Sequence, residues 1–237
     1  MKEKQVADAK VAAPAYGAAQ KYLGDEGELY FERQCSAGIL AAEYNKFIFA
    51  PHVTEQDDVL EFGCGGGYLL YALSARSKVG VDINPAARAQ AARLGVTACG
   101  TLDELQGRTF SRIITNHALE HVPNPFEALV QLRSLLKPDG KLLWLSPMDD
   151  WRHKCNKRWR PDNPDMHLYA WTPMLMGNLL TTAGYAPEEV SILTHALPPA
   201  AISKRLWSVN KSLFHSAAFV YALLRKQQQI FAVASPA

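Results

Sequence analysis

The residues Glu61-Phe62-Gly63-Cys64-Gly65-Gly66-Gly67 put one carboxylate two positions ahead of glycines at alternate positions. Alternate glycines let a backbone turn tightly and approach a ligand with no Cβ in the way. The apolar run Val59–Phe62 precedes the turn and Tyr68–Leu73 follows it, so the pattern predicts strand, glycine turn, helix. A helix start after such a turn offers free N–H groups and a positive dipole end to a polar ligand. The dinucleotide pattern G-x-G-x-x-G fails, because its third glycine falls on Tyr68 counted from Gly63 and on Leu70 counted from Gly65. A phosphate loop fails as well, since no Gly-Lys-Ser/Thr follows.

Three further clusters bear chemistry. Asp82 closes a second short strand, Lys78–Ile83, as an acidic residue at a strand end. His117-Ala118-Leu119-Glu120-His121 matches a zinc-protease spacing. Pro123 cuts that run short of the long helix the spacing needs, so no metal is expected and His121 is read as a loop anchor. Trp151–Arg160 carries five Lys/Arg and two Trp directly after the fifth strand. Sites of open α/β sheets lie beyond the carboxyl ends of their strands, and such a loop suits a diphosphate, with stacking on a sugar or base.

The elements that must position these residues alternate regularly. Strands are expected at 59–62, 78–83, 96–99, 112–115, 141–145, 190–193 and 230–233. Asn84-Pro85 reads as a capped helix start, and Gly95 as that helix's stop. Pro125–Leu136 and the segment from Thr172-Pro173 to Gly184 are the later helices, and the alternation argues for a mostly parallel sheet covered on both faces. Residues 27–50, with Leu29, Phe31, Ile39, Leu40, Tyr44, Phe47 and Ile48, form an N-terminal helical cap of one helix or a pair. Residues 196–228 form a helical insertion with Ile202, Leu206, Val209, Leu213, Ala217, Val220 and Leu224 at steps of three and four. Packing of that stripe on the sheet is expected, with a lid, a dimer surface or a membrane-surface helix as alternatives.

Composition is that of an ordinary soluble protein, 48% hydrophobic and 20% charged in 237 residues. No apolar run spans a bilayer, and the N-terminus lacks the core of a signal peptide. The scattered Cys35, Cys64, Cys99 and Cys155 read as reduced thiols, so a cytoplasmic location is expected. The net charge of +2 hides an asymmetry: ten Lys/Arg against four Asp/Glu from Trp151 onward, and no acidic residue after Glu189. An anionic partner is the corresponding expectation. Residues 1–20 are read as a loose segment and 21–237 as one domain.

Taken together, Glu61-x-Gly63-x-Gly65-x-Gly67, Asp82, His117–Pro125 and Leu136-Lys137-Pro138-Asp139-Gly140 resemble, in order and spacing, the class I S-adenosylmethionine-dependent methyltransferases of "type 11". The resemblance is close over about residues 57–146 and looser beyond. It implies a doubly wound, seven-stranded Rossmann-like sheet and S-adenosyl-L-methionine as cofactor. It also implies that Gly63, Cys64 and Gly65 line the cofactor's methionine part through their backbone, and that Glu61 orients the turn and meets the amino group. Asp82, followed by Ile83, would take both ribose hydroxyls. As residues in their own right, Glu61 could instead serve a helix dipole, and Asp82 could cap a helix. Relatives often carry an acid after the third strand to read adenine; here Gly100-Thr101-Leu102 stands in that place and Asp103 comes slightly late. Asn116 and His117 would sit under the methyl-donor end.

For a hydroxyl acceptor a general base near neutral pKa helps, and His is the usual choice. His153 and His167 are the candidates, with Asp149 and Asp150 behind them; each has a surface or loop-anchoring alternative. The implied activity is methyl transfer to a small-molecule or glycan hydroxyl, with surface-polysaccharide biosynthesis suggested by C-terminal resemblance. An RNA methyltransferase and a silent cofactor-binding or regulatory module are the alternatives.

Overall fold

The computed structural model describes residues 21–148, 158, 166–225 and 227–237. The expectations for residues 1–20, Asp149, Asp150, His153, Cys155 and, apart from Arg158, the basic run 151–160 lie outside the described residues.

Helix α1, Gly24–Phe49, is one continuous helix. It passes into the 3-10 turn Ala50–His52, whose start accommodates Pro51 because a first-turn N–H would lack an intrahelical partner anyway. There follow β1 (Asp58–Phe62), α2 (Tyr68–Ala72), β2 (Ser77–Val81), α3 (Pro85–Arg93), β3 (Thr97–Cys99) and β4 (Phe110–Asn116). The second half comprises α4 (Pro125–Ser134), β5 (Leu136–Pro147), α5 (Pro173–Thr182), β6 (Tyr185–Thr194), α6 (Ala200–Val209), α7 (Lys211–Arg225) and β7 (Gln228–Pro236).

The seven strands form one sheet in the order β3-β2-β1-β4-β5-β7-β6. β1 to β5 pair in parallel, and β7 lies antiparallel between β5 and β6. Alternation along the strands divides the core between the two faces. Leu60, Ile113, Leu142 and Trp144 pack with Leu129, Leu132, Met176 and Leu180 of α4 and α5. Val59, Ile114, Leu143 and Leu145 pack with Leu69 and Leu70 of α2 and Phe49 of α1.

Three elements differ from the sequence pattern. β5 begins at Leu136 and runs through Lys137-Pro138-Asp139-Gly140, with a register irregularity opposite Phe110 and Arg112. β6 extends over exposed polar residues, Glu188 and Glu189 among them, because pairing with β7 supplies the ladder that its own composition does not announce. The insertion divides at Asn210, whose side-chain oxygen accepts from Leu213 N–H at 3.0 Å. Its expected buried stripe is mostly exposed: Ile202, Val209, Leu213, Val220 and Leu224 face outward, whereas Phe214, Ala218 and Ala222 are buried. The hairpin packs through Phe214 and Ala218 on Leu40 and Tyr44 of α1 rather than chiefly on the sheet.

Candidate active site

Phe62 is in register with Val81 on one side and Thr115 on the other. Gly63, Asp82 and Asn116 therefore leave the carboxyl ends of three adjacent strands at one level. The strand order reverses between β1 and β4, the position where open α/β sheets take ligands.

Gly63, Gly65 and Gly67 have φ of +74°, +50° and +73°, a region that glycine enters without steric cost. The N–H groups of Gly63 and Cys64 donate to Val81 O at 2.8 and 3.1 Å, pinning the turn to β2. Asp82 accepts from Gly65 N–H through Oδ2 and from Asn84 N–H through Oδ1, both at 2.8 Å. These bonds brace the glycine turn and the approach to α3 without capping a helix, since Asn84 is the N-cap of α3, and each oxygen keeps a second lone pair for a ligand. Burial raises the Asp82 carboxyl above its usual range, with those two hydrogen bonds and Arg88 acting against it. Asn84 in turn caps α3 through Ala86 N–H and donates to Gly27 O at 2.8 Å, so α1 is tied over the site.

Glu61 is fully buried, and burial followed by the nearby Asp82 holds its carboxyl well above the usual range. It accepts from Leu70 N–H, while Oε2 has no hydrogen-bond partner. A buried carboxyl with an orphaned oxygen and a half-buried one, set around a glycine turn, are the acceptors that an ammonium-bearing ligand with ribose hydroxyls would satisfy. The residues present therefore fit S-adenosylmethionine. The Cys64 thiol is buried against β2 and pushed up by that burial, so only its backbone is offered to a ligand.

Two adjoining cavities meet here. One of about 310 Å³ is lined by Gly63, Gly65, Asp82, Ile83 and Ala87, by Tyr22, Tyr30 and Phe31, and by Val122 and Pro123. The other, about 480 Å³, is lined by Glu61, Gly63 to Gly66, Tyr68 and Asn116, by Ala41, Tyr44 and Asn45 of α1, and by His195, Leu197 and Gln229. His117 stands in the walls of both.

His117 adopts φ +55° at the end of β4. Its Nε2 lies 3.0 Å from Gln229 Oε1, and its Nδ1 lies 3.7 Å from Glu120 Oε1. Glu120 is fully buried; Ser146 Oγ donates to its Oε2 at 3.0 Å, and Oε1 has no hydrogen-bond partner. Across the larger cavity, His195 Nε2 lies 3.0 Å from Asn45 Oδ1, and Asn45 Nδ2 donates to Asn116 Oδ1 at 3.4 Å. The His195 ring stacks on Tyr44 at 3.9 Å, and burial, followed by His117 and His215, depresses its pKa to about 4.

The structure gathers Glu61, Gly63, Cys64, Gly65, Asp82, Ile83, Asn116 and His117 in the cavity walls. Thr101 and Leu102 line neither cavity. Thr101 is held in a capping box with Glu104, whose Oε1 accepts from the N–H groups of Gly100 and Thr101, and Leu102 packs on the core. His167 also lines neither cavity; its ring stands 4.7 Å from that of His121, behind the loop. The H-x-x-E-H run forms only the 3-10 turn Leu119–His121. Tyr22 OH and His121 Nδ1 are 3.1 Å apart, and Glu120, His121 and His167 bring potential ligand atoms within 4.8 Å of one another. Sequence reasoning missed Asn45, Glu120, His195 and Gln229 as wall or support residues. Only Glu120 carried a signal, as the acid inside a motif read for zinc.

A family model described as a methyltransferase domain matches residues 18–190. The chain belongs to this family, and its fold is that of the class I S-adenosylmethionine-dependent methyltransferases. Within that class it is similar to the ubiquinone biosynthesis O-methyltransferase of Roseobacter denitrificans, 30% identical over 112 residues that cover 43% of this chain and 45% of the relative. The chain thus matches under half the length of that curated relative. Among solved structures, the Haloferax volcanii methyltransferase in complex with the Trm112 activator superposes with a TM-score of 0.64 at 15% identity, covering 90% of this chain and 99% of that one. The plantazolicin methyltransferase BamL, solved with S-adenosylhomocysteine, gives 0.58 at 14% identity over 92% and 94%. At these identities both likenesses speak to the fold.

Proposed function

We propose that this protein transfers a methyl group from S-adenosylmethionine to a hydroxyl oxygen of a small-molecule or glycan acceptor. The observation that carries the reading is His117, which stands in the walls of two adjoining cavities that meet at the glycine turn, one on the Asp82 side and one reaching past Glu61 to Asn45, His195 and Gln229. When bound, the cofactor supplies an electrophilic methyl on a sulfonium. Gly63 to Gly65 would hold its methionine part, Glu61 would neutralise the ammonium, and Asp82 would take the ribose hydroxyls. Ile83, Ala87 and the aromatic rings of the smaller cavity would flank the adenine.

An acceptor in the larger cavity meets His117 Nε2 where Gln229 now sits. Once the acceptor has displaced Gln229 and the ring carries its proton on Nδ1, facing Glu120, Nε2 would take the hydroxyl proton as the oxygen attacks the methyl, with the sulfonium sulfur retaining the electron pair of the bond that breaks. The Glu120 carboxylate near Nδ1 then stabilises the imidazolium. Asn116, Asn45 and His195 orient the acceptor, and alignment supplies much of the rate. His117 accordingly replaces His167 as the proposed base. The O-methyltransferase name of the Roseobacter relative supports an oxygen acceptor. A surface polysaccharide remains one proposed acceptor, through the basic run at 151–160.

Isothermal calorimetry with S-adenosylhomocysteine, followed by mass spectrometry of phenolic and sugar hydroxyl panels incubated with S-adenosylmethionine, tests this. A methylated product is expected. Failure of the wild type to bind S-adenosylhomocysteine overturns the reading; binding without turnover on any acceptor favours the silent module.

A further inference from the structure

The α6–α7 hairpin lies beyond the residues matched by the family model, at 200–225 against 18–190. Its inner face is closed by Phe214, Ala218, Leu206 and Trp207 against α1. Its outer face is apolar and bare. Val209 is 71% exposed, Leu224 79%, Val220 51% and Phe219 53%. On α7, Leu213, Val220 and Leu224 fall at steps of seven and four, with Phe219 and Leu223 beside them, which makes a stripe about 16 Å long. Phe47 of α1 extends the stripe: it is 63% exposed, and its ring lies 4.2 Å from that of His215.

Charge decides what covers such a face. Lys204, Arg205, Lys211 and Arg225 are all exposed on the two helices, and no acidic residue follows Glu189. A second copy fits poorly, because antiparallel self-pairing of α7 across a two-fold axis sets Lys211 of each copy against Arg225 of the other. An apolar stripe bracketed by cations is complementary to a surface with acyl chains below and anionic groups above. No helix among the described residues is long and apolar enough to cross a membrane.

We infer that the α6–α7 hairpin docks this protein on the surface of an anionic lipid bilayer, with Val209, Leu213, Phe219, Val220 and Leu224 entering the headgroup boundary. The hairpin leaves the wall of the larger cavity at Leu197 and rejoins it at Gln227. A docked protein therefore holds that wall next to the bilayer. The inference stands on the exposed face and its charge, not on the acceptor proposed above.

Flotation of the full chain with vesicles of phosphatidylcholine, with and without about 30% phosphatidylglycerol, tests it. The protein is expected to float with the anionic vesicles, and to do so at least about tenfold less in 0.5 M salt or with neutral vesicles. The double variant Val220→Glu/Leu224→Glu is expected to lose at least about tenfold of the binding. Its affinity for S-adenosylhomocysteine should match the wild type, which shows that the fold survives. Two results overturn the inference: no flotation with anionic vesicles, or flotation that the double variant leaves unchanged. A dimer in gel filtration that the double variant splits, without vesicle binding, also overturns it by assigning the face to a second copy.

Discussion

His117 Nε2 stands 3.0 Å from Gln229 Oε1, joining the end of β4 to the first turn of β7 across the mouth of the larger cavity. Gln229 Nε2 donates in turn to His195 O at 2.9 Å, so one amide holds both histidine segments. If His117 is the base, His117→Ala should lower kcat about 10²- to 10⁴-fold while S-adenosylhomocysteine affinity changes only a few-fold. Gln229→Ala should leave kcat within about tenfold and act mainly on the acceptor KM, because the amide is displaced when the acceptor binds. Initial rates on the best acceptor, with calorimetry beside them, separate the two.

Glu61 is buried beside the half-buried Asp82, whose charge adds to burial in raising the Glu61 carboxyl. An ammonium group beside Glu61 favours its ionised form, so ligand binding should drive proton release from a carboxyl whose pKa burial has raised. S-adenosylhomocysteine should therefore bind more weakly as pH falls through that raised pKa and Glu61 becomes neutral. Glu61→Gln should weaken binding about 10- to 100-fold at neutral pH and flatten the pH dependence. Calorimetry across pH 5 to 8 checks this; a wild-type affinity with no acid-side weakening counts against the ammonium role.

Most of the fold was legible because the central strands are short apolar runs between punctuation that has one physical meaning, as in Asn84-Pro85 and Gly95. The glycine turn was legible because positive φ favours glycine, although Thr101 and Leu102, expected at the same site, lie outside both cavities. The acceptor side was not. Asn45 reaches the cavity because α1 lies over the site, and His195 and Gln229 because β7 inserts antiparallel between β5 and β6, and neither placement is written in the local sequence. The stripe on α6 and α7 was read correctly as a period and wrongly as a buried face, since spacing alone does not say which side of an amphipathic hairpin meets the protein. Alanines at 218 and 222 let α7 approach closely and take the inner side instead.

His195 should make the fold sensitive to acid. Its folded-state pKa of about 4 lies below the ordinary 6.5, so the unfolded chain binds a proton that the native protein refuses. The stability this neutral ring contributes is fully present above pH 6.5 and is lost as pH falls toward 4, by up to about 3 kcal/mol before screening of its part-exposed ring. Thermal unfolding between pH 7.5 and 4.5 should show the loss, and His195→Gln, which keeps a hydrogen-bonding amide for Asn45, should show a shallower slope. Equal slopes would mean that other groups govern the acid limb.

Gly63 tests how rigid the turn is. Its φ of +74° is strained for any other residue, and a Cβ there would stand 2.4 Å from Ala118 Cβ, in the segment that carries His117. Gly63→Ala should cost about 2 to 3 kcal/mol of stability and shift the β4 loop as the two methyl groups separate. The companion Ala118→Gly removes the clash but not the backbone strain. The double variant Gly63→Ala/Ala118→Gly should then recover part of the lost stability and part of the S-adenosylhomocysteine affinity. Urea unfolding of the two single variants and the double variant measures that coupling. Additive losses would show that the turn does not press on Ala118.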